Sequence, residues 1–244
     1  MQMNLKFRIK EYIPNSITCM NVLCGTLSIL AASHPDVEMA GIPGWEWSVL
    51  FIVLAAVADF FDGFMARLLH VSSPIGADLD SLSDQVSFGV APAMLLAFSL
   101  YGHVPLWEVF LPVIIPVAAA IRLAKFNVDT RQTTGFLGMP VPANAVFWIG
   151  YVAYLHHGVE WLANPWVLAV ALVFISWFMV SEVPMLSLKF KTWGFRENMA
   201  RYLLIICSAA LFIMLRLPGM LWIIVLYALM SLLFAKGSTQ PTNK

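Results

Sequence analysis

Eight apolar runs separated by short polar links dominate this chain of 244 residues. They fall roughly at 17–33, 45–61, 86–101, 105–121, 139–155, 165–181, 202–215 and 217–235. A helix needs about 20 residues to cross about 30 Å of hydrocarbon. Several runs are shorter, so flanking polar residues would complete helices that project past the bilayer. Apolar residues make up 60% of the chain and charged residues 11%, against roughly 45–50% and 25% in a soluble domain. So few charges cannot cover a water-soluble fold of this size, and the abundance of aliphatic and aromatic residues excludes disorder. The expected fold class is all-α: a polytopic membrane bundle of about eight transmembrane helices with both termini cytoplasmic.

The basic residues orient that bundle. With eight crossings, one side receives Lys6, Arg8, Lys10, Arg67, Arg122, Lys125, Arg131, Lys189, Lys191, Arg196, Arg201, Lys236 and Lys244. The other receives Arg216 alone, together with Asp36, Glu38, Glu108 and Glu160. The positive-inside rule makes the first side cytoplasmic. Residues 1–16 mix basic and apolar side chains and read as an interfacial segment; 17–235 form the membrane domain and 236–244 a polar tail. The formal net charge is zero, which excludes a nucleic-acid partner, since binding there requires a basic surface. Cys19, Cys24 and Cys207 lie in apolar runs with no metal-binding spacing. Trp45, Trp47, Trp107, Trp161, Trp166 and Trp193 mostly flank the runs, as an interfacial belt would. His156 and His157 fall on the far side and read as surface or interfacial residues.

Acidic residues beside a bilayer are costly and mark function, and here they cluster. Asp59, Asp62, Asp78, Asp80 and Asp84 fall within 26 residues, with Arg67 among them. Asp59, Asp62 and Ala66 share one helical face, and Gly76, Asp80 and Asp84 share one face of the next helix. A cytoplasmic turn around Ser72 and Ser73 brings the two faces together. Four carboxylates so placed repel unless cations neutralise them. An all-oxygen set selects a hard ion, Mg²⁺ or Mn²⁺, over zinc. Two such ions can clamp a phosphate during in-line displacement. Gly63, Ala66 and Gly76 leave room for a bulky group beside the acids, although close helix packing would use small residues too. Asp78 points away from Asp80 and is not expected to bind metal.

The pattern D-x-x-D-G-x-x-A-R, eight residues, then G-x-x-x-D-x-x-x-D resembles the signature of the CDP-alcohol phosphotransferase family. Asp59, Asp62, Gly63, Ala66, Arg67, Gly76, Asp80 and Asp84 carry it without departure. Three further stretches resemble the branch of that family that uses CDP-diacylglycerol and L-serine: I-P-N-S-I-T over 13–18 with Asn21 and Gly25, D-S-L-S-D running into F-G-V-A-P over 80–92, and R-L-A-K-F-N over 122–127 with F-L-G-M-P over 136–140. Lys125 stands where that branch usually has Arg, which keeps the charge and loses the bidentate fork.

The resemblance implies transfer of a phosphatidyl group from CDP-diacylglycerol to serine, giving phosphatidylserine and CMP at the cytoplasmic face of an inner membrane, in a homodimer. It implies two divalent ions on Asp59, Asp62, Asp80 and Asp84, with Asp84 the candidate catalytic base. Asp59, Asp62, Gly63, Ala66, Arg67 and Gly76 would line the CDP site. Arg122, Lys125, Asn127 and Arg131 are the acceptor candidates, because a zwitterion needs a cation for its carboxylate; plain positive-inside topology would also place bases there. Two alternatives stand beside this reading. One is a transferase of the same family acting on another alcohol, such as glycerol phosphate or inositol phosphate. The other is a cation transporter, although transporters hold their ions near midplane.

Overall fold

The computed structural model describes residues 2–71, 74–129, 136–187 and 194–234. Each apolar run falls on helix. In chain order the helices are α1 (Gln2–Ala32), α2 (Gly44–Leu69), α3 (Pro74–Asp84), a π-helical segment (Gln85–Val90), α4 (Ala91–Leu100), α5 (Leu106–Val109), α6 (Ile114–Val128), α7 (Val141–His156), α8 (Pro165–Val180), α9 (Phe195–Leu215) and α10 (Gly219–Phe234). Among the described residues, four stretches are long and apolar enough to cross a membrane: Tyr12–Ala32, Gly44–Leu69, Leu106–Val128 and Asn198–Leu215. Pro165–Val180 and Gly219–Phe234 are shorter apolar helices. On α2, Leu50, Val53, Val57, Phe60 and Phe64 are all exposed at alternating steps of three and four. An unbroken apolar stripe of that kind is stable against lipid and not against water. The chain is an all-α membrane protein.

Prolines break two runs that the sequence presents as continuous. The 105–121 run is α5, a 3₁₀ turn at Leu111–Val113 and then α6, because Pro112 and Pro116 lack the N–H that an unbroken helix requires. The 86–101 run opens as a π-helix, where Pro92 withdraws the donor that Phe88 O would otherwise receive. At the N-terminus, residues of the expected interfacial segment 1–16 continue directly into the first run as one helix. The expected tail, 236–244, lies outside the described residues.

The chain divides into two compact units, Met1–Pro116 and Val117–Lys244. In the first, α1 packs along α2, α3, the π-segment and α4. Small and hydroxyl side chains make this approach close. Ser87 Oγ donates to Asn21 O at 2.9 Å, Ser83 Oγ donates to Thr18 O at 3.3 Å, and Ser28 and Ser48 share a hydrogen bond of 2.8 Å. A Cβ on Gly25 would collide with Ser87. Such packing suits helices whose association in lipid depends on close approach and interhelical hydrogen bonds. Phe88, Leu95, Leu96 and Leu100 form the buried floor. The link between α1 and α2 is a hairpin, β1 (Glu38–Met39) on β2 (Ile42–Pro43), turned by Ala40 and Gly41 at φ 55° and 77°, the geometry of a two-residue hairpin loop. Trp45, at the foot of α2, and Glu108, at 3% exposure, are both buried.

The second unit is built on α7, whose Trp148, Tyr151 and Ile149 are fully enclosed. Tyr151 Oη donates to Leu162 O at 2.5 Å, and Trp148 Nε1 to Asn144 Oδ1 at 2.8 Å. Gly150 lets α10 approach so closely that a Cβ there would meet Leu221 backbone. β3 (Phe136–Leu137) pairs antiparallel with β4 (Pro184–Met185).

The end of α2 sets where α3 begins. His70 N donates to Arg67 O and Val71 N to Ala66 O, at 3.3 and 3.1 Å. This is a Schellman cap, and His70 holds its left-handed position at φ 51°. A non-glycine residue there costs about 1 kcal/mol or more. His70→Gly should therefore stabilise the protein by about 0.5–1 kcal/mol, read as a higher midpoint of thermal unfolding in detergent; a lower midpoint would show that the imidazole itself holds the turn.

Candidate metal centre

The Schellman cap ends α2 so that its last turns face the start of α3. Asp59 and Asp62 come from α2 and Asp80 from α3, and one carboxylate oxygen from each lies within 4.8 Å of the others. The fourth acid, Asp84, joins through hydrogen bonding with Asp59, which in turn hydrogen-bonds Asp80. Asp84 Oδ1 also accepts from Asn21 Nδ2 at 3.5 Å. Asp78 is exposed, in keeping with its opposite phase on α3.

A cavity of about 220 Å³ opens beside the acids. Asp62, Gly63, Ala66, Gly76 and Asp80 line it, and α1 closes it with Pro14, Asn15 and Thr18. Among the described residues, a Cβ on Gly63 would meet only Arg67 Nη1, at 3.6 Å. No protein backbone forces glycine at that position, so its missing side chain leaves space on the cavity side. Arg67 itself is exposed and is not among the residues lining the cavity. The α1 residues were legible only as part of a motif. Their place against the acids depends on how α1 docks on α3, and no local spacing encodes that.

Asn21 is the sharper case. It is fully buried, its main-chain carbonyl is held by Ser87, and its amide reaches Asp84. Its Oδ1 has no hydrogen-bond partner among the described residues. A buried amide with an unmet acceptor is costly, and its position at the acid cluster makes it a group that orients Asp84.

Burial and crowding by like groups raise the α3 carboxyls. Asp80, outside the four long apolar helices, is pushed up to about 6 by burial first and the neighbouring Asp62 charge second, offset in part by the hydrogen bond from Asp59. Asp84 is pushed up to about 8 by burial, then by Asp59 and Asp80, while Asn21 opposes the shift. Carboxyls this close hold together by sharing protons or by sharing a cation. Asp62 is 6% exposed and its Oδ2 accepts no hydrogen bond from the described residues. An orphaned buried oxygen beside two further carboxylates fits a hard divalent ion. Asp62→Asn should weaken Mn²⁺ binding by at least about 10-fold, measured by electron paramagnetic resonance titration of the purified protein. Unchanged affinity would remove Asp62 from the ion's shell.

The acceptor candidates separate. Arg122 is buried at 8% exposure with its guanidinium 4.8 Å from the centre of the Phe126 ring. Lys125 Nζ donates to Val180 O at 3.2 Å. Both line a second cavity, in the unit Val117–Lys244. Asn127 is exposed and does not line it. Arg131 lies outside the described residues.

The sequence model of the CDP-alcohol phosphatidyltransferase family matches residues 11–181. A Bacillus subtilis protein named CDP-diacylglycerol–serine O-phosphatidyltransferase is 33% identical over 173 residues, 71% of this chain and 89% of the relative. A Methanocaldococcus jannaschii protein of the same name is 31% identical, over 72% of this chain and 76% of its own length. A Mycobacterium leprae protein, also so named, is 34% identical over 72% of this chain, and the match spans 58% of that longer relative. The matched span contains both the carboxylate cluster and the cavity-lining residues of α1, and the chain belongs to the CDP-alcohol phosphatidyltransferase family.

Proposed function

We propose that this protein transfers the phosphatidyl group of CDP-diacylglycerol to L-serine, forming phosphatidylserine and releasing CMP. The carrying observation is the group of Asp59, Asp62 and Asp80 beside a cavity lined by Gly63, Ala66 and Gly76, in a chain whose relatives bear that enzyme name. Asp59, Asp62, Asp80 and Asp84 would hold two Mg²⁺ or Mn²⁺ ions, which when bound supply charge neutralisation of the pyrophosphate oxygens. Gly63, Ala66 and Gly76 admit the diphosphate to the helix backbone, and the exposed Arg67 offers it a cation. Asp84, oriented by Asn21, accepts the proton of the serine hydroxyl as its oxygen attacks phosphorus. The bond to the CMP oxygen then breaks. Arg122, Lys125, Asn127 and Arg131 are the acceptor-binding candidates.

In the same reading the chain crosses an inner membrane eight times with both termini in the cytoplasm. The supporting asymmetry is thirteen basic residues on that side against Arg216 on the other. Residues 17–235 are then the catalytic membrane domain, flanked by an interfacial segment and a polar tail, and two copies form a homodimer. Diacylglycerol tails remain in lipid while the diphosphate lies at headgroup depth and serine arrives from water.

The deciding experiment is CMP release by protein reconstituted in vesicles containing CDP-diacylglycerol, with serine, glycerol 3-phosphate, inositol phosphate or inositol supplied in turn. Serine should give the fastest release, chelator should abolish it and Mn²⁺ or Mg²⁺ should restore it. Release with a phosphorylated alcohol alone would reassign the acceptor. Metal flux without CMP from any acceptor would favour a transporter. Asp84→Asn should retain CDP binding while turnover falls by about 10²–10⁴-fold; near-normal turnover would dismiss Asp84 as the base.

A further inference from the structure

Thr18, Asn21 and Gly25 fall at i, i+3 and i+7 of α1 and share one face. That face meets the helices that carry the acids. Thr18 lines the cavity with Asp62 and Asp80, and a Cβ on Gly25 would collide with Ser87. Between them, Asn21 is fully buried. Its Nδ2 donates to Asp84 Oδ1 at 3.5 Å, while its Oδ1 is a buried acceptor with no hydrogen-bond partner among the described residues. Oxygen and nitrogen share one amide carbon, so the oxygen lies beside the same acids that the nitrogen meets. The hydroxyls packed against this turn of α1 are committed elsewhere: Ser87 Oγ donates to Asn21 O, and Ser83 Oγ to Leu79 O and Thr18 O. Asp62 Oδ2 is in the same condition, buried and without a donor among the described residues. A buried acceptor left unmet is costly, and here the unmet oxygens come from two helices that converge on one carboxylate cluster.

We propose that Asn21 Oδ1 is a further ligand of the divalent-ion centre, a neutral oxygen added to the four carboxylates. This deepens the metal-bearing reading of the site and rests on it. The charges explain why an amide stands there. Four carboxylates already balance two divalent cations. A fifth acid would add repulsion and would confront the diphosphate with excess negative charge. An amide carbonyl is an accepted ligand for a hard ion and brings no charge. Its other atom donates to Asp84, which ties one ligand to the next in the way that metal ligands are held in register.

The test is a Mn²⁺ titration of the full-length protein in detergent, read by electron paramagnetic resonance with no substrate present. Asn21→Ala removes the oxygen and the donor; Asn21→Asp keeps an oxygen and loses the donor. Asn21→Ala should weaken Mn²⁺ binding by about 10-fold or more, and Asn21→Asp should bind at least as tightly as the wild type. The Asn21→Ala loss should persist in an Asp84→Asn background, because a direct ligand does not act through Asp84. Wild-type affinity in Asn21→Ala, or a loss that vanishes in the Asp84→Asn background, would overturn the assignment and leave Asn21 a positioning residue. Should Asn21→Ala fail to fold, Asn21→Asp decides: a 10-fold loss of affinity there would overturn the ligand. A wild-type protein that binds no Mn²⁺ would instead overturn the metal centre itself. Failure of serine as the acceptor would leave the ligand assignment standing, since no turnover enters the measurement.

Discussion

The mutual repulsion of four carboxylates governs the first unit. Asp59, Asp62, Asp80 and Asp84 come from helices that would separate to relieve it. What opposes separation is the docking of α1, where Ser83 and Ser87 hydrogen-bond the α1 main chain and Gly25 admits Ser87 at close range. Hydroxyls and a glycine take this role because lipid offers no hydrophobic drive to press helices together. The same docking carries Asn21 to Asp84, so the element that holds the acids together also orients one of them.

Placement at helix ends solves a second difficulty. Charges at the middle of a span are expensive, yet the chemistry needs carboxylates beside a lipid-borne phosphate. The Schellman cap at His70 ends α2 just after Arg67, so the acids lie in its final turns, and α3 returns at once with the rest. Lipid meets the exposed stripe from Leu50 to Phe64 on the other side of α2. One helix thus presents a hydrocarbon face and a polar face, and the boundary between them is where an amphiphilic donor would lie.

Much of this was legible in the residues. Composition and run length specify helices in a membrane, and spacing alone places Asp59 with Asp62 and Asp80 with Asp84 while turning Asp78 away. The structure adds what depends on the meeting of distant segments. Thr18 and Asn15 stand in the motif, but only the docking of α1 shows that they wall the cavity. Glu108 counts as a far-side charge in the sequence and is buried in the fold, because a charge census is blind to packing. Trp45 sits at a helix foot, as belt residues do, yet neighbours enclose it. Glu182 lies in a link with no periodicity, and only the fold sets it in the wall of the cavity that Arg122 and Lys125 line.

The π-helical segment at Gln85–Val90 has a consequence for how the sequence is read. A π turn absorbs one more residue than an α turn, so the pattern of buried positions slips by one between α3 and α4 while the helix runs on. Faces counted in steps of three and four from Asp80 and Asp84 cannot be carried past Val90 without dropping one position.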